Sequence, residues 1–438
     1  MKKTYIALLA MFSFWHGTQA QDTLKLSLQQ SIDLATKQNL ELKSSLLDID
    51  KANFKIKEIT GTGLPQISGG VDFRNQIQLP VFVFPDPVSG EQKPIQVGTK
   101  YSTVGQLSLN QLIFDGSYFV GLKAAKEFKE LALQSHNKNE RDLKVNVTKT
   151  YYLALVSSQN LALMQVNEST LENSLKETES LYKEGFVEQV DVDRIRLALN
   201  NLRVQKRKME DGSEAGLMLL KVYLGIDPSS PIALTETIEA LNERSMEPTF
   251  IGQTDAEQNR LELKLLQQQI EMNKLDLQRY KVQRYPSVRG FVNYQEQFFG
   301  NSLTFDPWFT TSLWGVSVGI PIFSSGVQSN KIKQAKASVT QSQYIFDYAK
   351  SMYKMERLKL ERDYQTSKQL ATSQKENFEL AQKIYNIASI KLKEGVGSNL
   401  ELLNANQELR AAQTAYLESV YTLMLNKLNL QIATGQNL

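Results

Sequence analysis

The feature that most constrains this chain is where its prolines are missing. Of the 11 prolines in 438 residues, none lies between Pro94 and Pro228 and none follows Pro321, which leaves proline-free runs of 133 and 117 residues. Proline breaks or kinks a helix interior, so runs of this length are compatible with very long helices. Apolar residues recur at steps of three and four, for example from Leu171 to Leu181 and from Phe378 to Leu392, as on one face of a helix. The sequence therefore predicts two blocks of long helices, separated by segments in which the prolines collect.

Short motifs recur about 210 residues apart. The tetrapeptide at 182–185 returns with one substitution at 392–395, and Gly225 corresponds to Gly435 at the same offset. A period this long indicates a duplicated domain rather than a solenoid of short repeats. We therefore interpret the chain as a first copy at 21–225, an inter-repeat linker at 226–252 and a second copy at 253–438.

Each copy is expected to contain a helix, two strands and a helical hairpin, in that order. Apolar spacing separates the helices from the strands, whose residues alternate between apolar and polar. A helix of about 68 residues would span roughly 100 Å, so it needs an apolar seam along its length. The predicted helices are 28–59, 116–184, 186–224, 255–284, 327–394 and 399–434, and the predicted strands are 67–73, 101–109, 287–295 and 308–320.

The first twenty residues have the pattern of a secretory signal peptide. Lys2 and Lys3 precede an apolar stretch from Ile6 to Trp15, and small residues end the segment at Ala20. Ten apolar residues are about half of what a spanning helix needs, so an N-terminal anchor is the less favoured alternative. The pattern predicts cleavage after Ala20 and export from the cytoplasm.

Composition argues against most enzyme chemistry. The chain has no Cys and only two His, one of them, His16, in the predicted leader. A thiolate zinc site or a cysteine nucleophile is excluded, and a catalytic triad would depend on His136 alone. The formal net charge of +3 offers no electrostatic case for nucleic acid. We expect no enzymatic activity, no cofactor and no metal site.

The four predicted strands approach the length at which a tilted strand crosses a bilayer, about 9–11 residues. A sheet exposed to lipid cannot keep free edges, and four strands are too few to close a barrel. Copies of the chain would have to combine: two would supply eight strands and three would supply twelve. Trp314, Val316 and Val318 share one strand face that would suit lipid. A soluble hairpin packed on helices is the alternative that periodicity alone favours.

In these features the chain resembles the TolC-like outer-membrane efflux proteins. The resemblance rests on the duplication, on the hairpin patterns at 182–191 and 392–401, and on the strand-to-helix junctions at 112–116 and 320–326. It implies a mainly α fold with a transmembrane β-barrel portion. In that fold a homotrimer forms a twelve-stranded barrel continuous with a twelve-helix periplasmic tunnel, and the linker lies at its equator.

The same resemblance implies a function. A protein of this kind would be the bacterial outer-membrane exit duct of a tripartite efflux or type I secretion system. It would conduct substrates passively, with a periplasmic adaptor and an inner-membrane pump as its partners and outer-membrane lipid around it. The exported substrate is not indicated by the sequence.

Two sets of residues near the hairpin turns become candidate sites under this resemblance. The adaptor would dock on the hairpin tips, which comprise Gly185, Phe186, Val187, Gly395, Val396 and Gly397. Acidic residues after the second hairpin glycine line the closed entrance in the family; Glu401 matches that pattern and Asn404 departs from it. Plain loops and an exposed helix carboxylate are the alternatives.

Other candidates belong to the strands. Aromatic residues near one end of a strand pair are expected to form a lipid-interface belt. These are Phe298, Phe299, Trp308, Phe309 and Trp314. Asp72, Arg74 and Arg289 are expected either in the barrel lumen or at its rim. A periplasmic coiled-coil adaptor or scaffold and an ungated porin remain alternative functions.

Overall fold

A computed structural model describes residues 23–85, 90–247 and 259–436. The predicted leader at 1–20 and the boundary between linker and second copy at 252–253 lie outside these ranges. The chain divides into two compact units: unit 1 comprises 1–43, 139–257 and 353–438, and unit 2 comprises 44–138 and 258–352. No helix in the described ranges combines the length and the apolar character needed to cross a bilayer.

Long helices dominate both copies, as predicted. The helices are α1 (Leu28–Gln38), α2 (Leu40–Thr62), α3 (Gly116–Lys183), α4 (Gln189–Leu224), α5 (Ile238–Met246), α6 (Leu261–Val282), α7 (Val327–Lys393) and α8 (Asn399–Ala433). The strands are β1 (Leu24–Leu26), β2 (Gln66–Asn75), β3 (Val81–Pro85), β4 (Gln92–Gln96), β5 (Tyr101–Phe114), β6 (Ile232–Leu234), β7 (Ser287–Gly300) and β8 (Trp308–Gly319).

The single helix predicted at 28–59 is wrong, because Asn39 divides it into α1 and α2. Its backbone leaves the helical region at φ −57° and ψ 127°. Its side-chain oxygen accepts a hydrogen bond from the Leu42 backbone N–H at 2.9 Å. Asn39 thus caps the N-terminus of α2, a position at which asparagine is one of the favoured residues. The break therefore has a local cause that helical periodicity does not reveal.

Duplication is visible in the backbone as well as in the sequence. Gly225 ends α4 with φ 74°, and Gly435 follows α8 with φ 70°. Arg260, which precedes α6, has φ −63° and ψ 134°, close to the values at Asn39. Corresponding helix boundaries in the two copies thus use the same backbone conformations.

Unit 1 is held together by an apolar core around the middle of the long helices. Residues from α1, α3, α4, α5 and α8 meet there; the largest fully buried members are Val147, Tyr151, Leu220, Leu224 and Met424. The Tyr151 hydroxyl donates to the Leu26 carbonyl oxygen at 3.1 Å, which ties α3 to β1. The segment predicted only as a linker contributes β6, which pairs with β1 in parallel, and α5.

Unit 2 contains an antiparallel sheet in the order β2-β5-β7-β8. Both copies contribute two adjacent strands, so the four predicted strands are confirmed with small changes at their ends. The register pairs Ile67 with Leu109, Leu109 with Val292, and Val292 with Trp314. Within this sheet β2 and β8 each have only one partner and therefore form its two edges.

The sequence predicts no strand between residues 73 and 101, where four prolines lie, but the structure has a hairpin of two short strands there. β3 and β4 pair antiparallel, with Phe82 opposite Ile95 and Val83 opposite Pro94. Valine and phenylalanine suit extended strands, and proline is tolerated where a strand edge needs no donor. Prolines here therefore lie within or at the end of short strands rather than excluding them.

Candidate functional site

The first helical hairpin turns at Gly185, which follows the end of α3. Gly185 has φ 81°, a left-handed conformation that favours glycine. The Phe186 N–H donates to the Leu181 carbonyl oxygen at 2.9 Å and the Gly185 N–H to Tyr182 at 3.0 Å, which closes the last helical turn. The Phe186 side chain is left 73% exposed. The turn thus presents an apolar ring to the surroundings.

The second hairpin repeats this geometry, and its turn also packs closely against the last turn of α7. Gly395 has φ 74°, and the Val396 N–H donates to the Lys391 carbonyl oxygen at 3.0 Å. Val396 is 78% exposed. A Cβ on Gly397 would lie 2.8 Å from the Leu392 backbone nitrogen, so a side chain there requires a shift of the turn. Both predicted tips are therefore real turns that expose one large apolar side chain each.

Glu401 lies in the first turn of α8, the helix that leaves the second tip. Its backbone N–H donates to the Ser398 hydroxyl oxygen at 3.1 Å, which caps α8. Its carboxylate accepts a bond from the Lys391 ammonium at 3.0 Å, and both side chains are about half exposed. Asn404 is exposed on the following turn. Lys391 was not predicted as a site residue. The sequence shows its opposite charge on the other side of Gly395, but the contact with Glu401 depends on the turn that brings the two helices together.

Apolar layers behind the tips hold each hairpin together. Ala388 on α7 packs with Leu402 and Ala405 on α8, and Leu171 on α3 packs with Leu199 and Leu202 on α4. Leu171 and Ala388 lie on the seams that the three- and four-residue spacing predicted, and their partners on α4 and α8 complete the layers.

The two hairpins also contact each other. Leu403 on α8 packs against the apolar layer of the first hairpin. The buried Asn167 side chain donates to Gln413 at 3.2 Å, and Arg410 donates to Gln205 at 2.6 Å. Buried polar pairs within an apolar seam fix the register of neighbouring helices. These contacts tie α8 of the second hairpin to α3 and α4 of the first.

Charged residues on the surface link α3 to α4. Arg203 and Lys206 on α4 both donate to Glu168 on α3, at 2.9 and 2.8 Å. Hydrogen bonds from Lys206 and then Arg203 hold the pKa of the Glu168 carboxyl below its ordinary value. Arg203 also bonds to Glu172. These charged side chains join α3 to α4 at the surface, outside the apolar seam of the first hairpin.

The four-stranded sheet in unit 2 has one mainly apolar face. Cross-strand pairs share a face, and alternate residues along each strand point to the same side. Members of this face include Ile67, Val71, Phe73, Leu107, Leu109, Val292, Trp308, Trp314, Val316 and Val318. Most of these side chains are about half exposed or more, and Trp314 reaches 80%. Glu296 lies on the same face, where Tyr294 and Thr310 donate hydrogen bonds to its carboxylate.

The opposite face of the sheet is mainly polar. Its members include Ser68, Asp72, Arg74, Gln106, Ser108, Asn110, Arg289, Asn293, Gln295 and Thr311. Asp72, Arg74 and Arg289, for which the sequence left two positions open, therefore share this face. A sheet with one apolar and one polar face suits a wall between lipid and water.

The register divides the predicted aromatic belt. Phe298 pairs with Trp308 on the apolar face, but its ring is fully buried against Phe305 and Trp308, so it offers no surface to lipid. Phe299 and Phe309 lie on the polar face, because each follows a residue of the apolar face by one position. The five aromatics therefore do not share one exposed face, and the lipid-interface belt stays a prediction.

Comparison with known sequences identifies a family. The sequence matches the family model described as "Outer membrane efflux protein" at residues 31–212 and 253–436, one match in each copy. It is 20% identical to the outer membrane protein TolC of Escherichia coli, covering 98% of this chain and 85% of that protein. It is also 20% identical to the proteases secretion protein PrtF of Dickeya chrysanthemi over 56% of this chain. That match spans 53% of PrtF, or about half its length.

Solved structures share the fold. The outer membrane protein VceC of Vibrio cholerae superimposes with a TM-score of 0.72 at 14% identity, covering 94% of this chain and 96% of that one. The CmeC outer membrane channel of Campylobacter jejuni superimposes with a TM-score of 0.77 at 16% identity, covering 93% and 85%. The architecture inferred from duplication and helix length is thus a known one.

Proposed function

The chain belongs to the outer membrane efflux protein family, and on that basis we propose that it is the outer-membrane exit duct of a tripartite efflux or type I secretion system. One observation carries the proposal: the four-stranded sheet has an apolar face, a polar face and two edges without a partner in the described part of the chain. Such a sheet is a segment of a barrel wall, which lipid would cover on one side and water on the other.

Closure of the barrel requires further copies of the chain. The strands run antiparallel throughout, so β8 of one copy can pair with β2 of the next without reversing the pattern. Three copies supply twelve strands and leave an open lumen, whereas eight strands are filled by their own side chains. The homotrimer is therefore the assembly that fits a duct.

Exposed apolar side chains on the helices support the same assembly. In unit 2 large apolar residues on α2, α3 and α7 lie uncovered, namely Phe54, Phe119, Tyr344, Ile345 and Tyr348. Large apolar side chains exposed in this way support burial against a partner. Neighbouring copies would cover it and complete a helical tunnel.

Exposed apolar residues at the hairpin tips support a role in binding partners. Phe186 and Val396 are the exposed apolar groups at the two turns and would contact a periplasmic adaptor, which in turn connects the duct to an inner-membrane pump. Glu401 would stand near the entrance of the tunnel. The duct performs no chemistry of its own, and the pump supplies the energy. Two similar proteins, the proteases secretion protein PrtF and the outer membrane protein TolC, have names that agree with this role.

Tryptophan fluorescence tests the membrane placement. Of the three Trp residues, Trp15 lies in the predicted leader, and Trp308 and Trp314 both lie on the apolar face. The processed protein in vesicles should lose most of its Trp emission when the lipids carry bromine on their acyl chains. The variant Trp314→Phe isolates Trp308. Emission that is unchanged in brominated vesicles would contradict contact between this face and lipid.

Conductance tests the duct itself. In planar bilayers the purified protein should add conductance in equal steps, one for each inserted complex. A protein that binds vesicles but adds no conductance under any voltage would contradict a duct and favour a scaffold.

A further inference from the structure

A cluster of basic residues lies where the second copy passes between its strands and its helices. β7 and β8 pair with Ser287 opposite Gly319, so the end of α6 and the start of α7 lie at the same end of the sheet. The Gln328 side chain, in the first turn of α7, donates to the Tyr280 carbonyl oxygen near the end of α6. We call this cluster the junction patch, and it comprises Lys281, Arg284, Lys331, Lys333 and Lys336.

No acidic residue of the surrounding sequence neutralises the junction patch. The chain has no Asp or Glu between Asp276 and Glu296, or between Asp306 and Asp347. Asp276 is already bonded to Arg279 at 2.7 Å. All five side chains of the patch are exposed, and none of them forms an ion pair within the described part of the chain. The patch therefore carries a net positive charge.

Exposed apolar side chains accompany the junction patch. Ile322 and Phe323, between β8 and α7, are 92% and 87% exposed, and Tyr285, next to Arg284, is 63% exposed. Lysine and arginine beside apolar and aromatic groups are typical of chain at the boundary between hydrocarbon and headgroups. An ordinary solvated helix face would supply the charges but not the apolar neighbours. The combination favours a lipid surface.

A neighbouring copy of the chain would not neutralise the patch. In the proposed duct β8 joins β2 of the next copy, so α2 of that copy, which leads into β2, would lie beside α7. The last two turns of α2 carry Lys55 and Lys57 and a single carboxylate, Glu58. Glu58 already accepts a bond from Lys55 at 2.7 Å. The balancing negative charge is therefore expected from outside the protein.

We propose that the junction patch binds the headgroups of anionic phospholipids in the periplasmic leaflet of the outer membrane. The proposal rests on the proposed function, in which the sheet spans the bilayer and the helices continue into the periplasm. Lys331 and Lys336 lie four and nine residues after Val327, the first residue of α7, or about 6 and 14 Å along its axis. The headgroup layer on each side of the hydrocarbon is about 5–8 Å thick, and long lysine side chains can reach back to it. Phosphates with a net negative charge are then preferred to zwitterionic ones.

Native mass spectrometry tests the preference by counting the lipids that remain bound to the complex. The probe is a vesicle of equal parts phosphatidylglycerol and phosphatidylcholine, and the unmodified protein should retain mainly phosphatidylglycerol. The variant Lys331→Gln/Lys333→Gln/Lys336→Gln should lower that preference by roughly threefold or more. The matched control Lys350→Gln/Lys354→Gln/Lys359→Gln removes the same charge from exposed positions further along α7 and should keep it.

Three results would overturn the headgroup site. One is equal retention of the two lipids by the unmodified protein, and another is the same loss of preference in both triple variants. The third is displacement of phosphatidylglycerol by millimolar inorganic phosphate but not by chloride of equal ionic strength, because the patch would then bind a free anion.

The same preparation separates failure of this inference from failure of the duct. Its conductance and the quenching of its Trp emission by brominated lipid are measured beside the lipid count. A protein that conducts and is quenched but shows no lipid preference would overturn the headgroup site and leave the duct intact. A protein whose emission brominated lipid leaves unchanged would overturn both proposals.

Discussion

The Asn39 side chain joins the end of one helix to the start of another through its bond to Tyr223. Its amide nitrogen donates to the Tyr223 carbonyl oxygen at 3.0 Å, near the end of α4. Its amide oxygen accepts from the Leu42 N–H at 2.9 Å, in the first turn of α2. A single buried side chain therefore bonds to a carbonyl oxygen near the end of one helix and to an N–H in the first turn of another.

Substitution at this junction should destabilise the protein. Asn39→Ala removes both bonds and should cost about 1–3 kcal/mol, because buried polar groups then lose their partners. Asn39→Ser retains a capping oxygen for α2 and should cost less. Thermal unfolding followed by circular dichroism measures the difference. Equal midpoints for the alanine variant and the unmodified protein would show that the junction contributes nothing.

Two glycines with similar backbone angles should respond differently to alanine. Gly225 and Gly185 both have a positive φ, which costs a non-glycine residue about 1–2 kcal/mol. At Gly225 a Cβ would also lie 2.7 Å from the backbone of Gln38, whereas nothing lies within 4 Å at Gly185. Gly225→Ala should therefore lower the unfolding midpoint more than Gly185→Ala. The reverse order would contradict the close approach of α4 to the α1–α2 junction.

Glu401 should influence ion passage more than stability. Its exposed pair with Lys391 is worth only about 0–1 kcal/mol, so Glu401→Ala should unfold at nearly the same temperature. If three Glu401 carboxylates surround the entrance, their removal should lower the preference of the pore for cations over anions. Lys391→Ala, which frees the carboxylate, should raise that preference.

Reversal potentials in a salt gradient measure this selectivity. The matched control is Glu394→Ala, an exposed carboxylate of the same turn. If Glu401→Ala and Glu394→Ala leave selectivity equally unchanged, Glu401 is not at the entrance and the description as an ungated porin gains support.

Stability of the first hairpin should depend on pH through Glu168. Hydrogen bonds from Lys206 and Arg203 lower the pKa of this carboxyl in the folded protein. A lowered pKa stabilises the fold above the ordinary glutamate pKa of about 4.3, and this contribution is lost as pH falls through the lower folded-state value. Glu168→Gln should therefore unfold at a lower temperature than the unmodified protein at pH 7. The gap should narrow as the pH falls below about 4. A difference in unfolding temperature that widens in acid would contradict a lowered pKa for Glu168.

Helix boundaries were predictable because local chemistry determines them. The expected end of α3 at residue 184 differs from the observed Lys183 by one residue, since Gly185 must leave the helix. The same holds for α7 before Gly395. Prolines, by contrast, misled the prediction of the β3–β4 hairpin, because a two-stranded ribbon tolerates them where a larger sheet does not.

Features that depend on distant partners were not predictable. Asn39 caps α2 locally, but its amide nitrogen bonds to Tyr223, 184 positions away, which no local pattern indicates. The ion pair of Lys391 with Glu401 depends on the turn that brings the two helices of the hairpin together. The faces of the predicted aromatic belt depend on distant partners as well, since only the strand register assigns Phe299 and Phe309 to the polar face.

The mass of the detergent-solubilised complex tests the central claim most directly. One chain supplies four strands of a sheet whose edges are both open, and the account requires two further copies to close it. Light scattering corrected for bound detergent, or native mass spectrometry, should give three times the mass of the single chain measured under denaturing conditions. A complex that remains a monomer or a dimer at all protein concentrations would contradict the account.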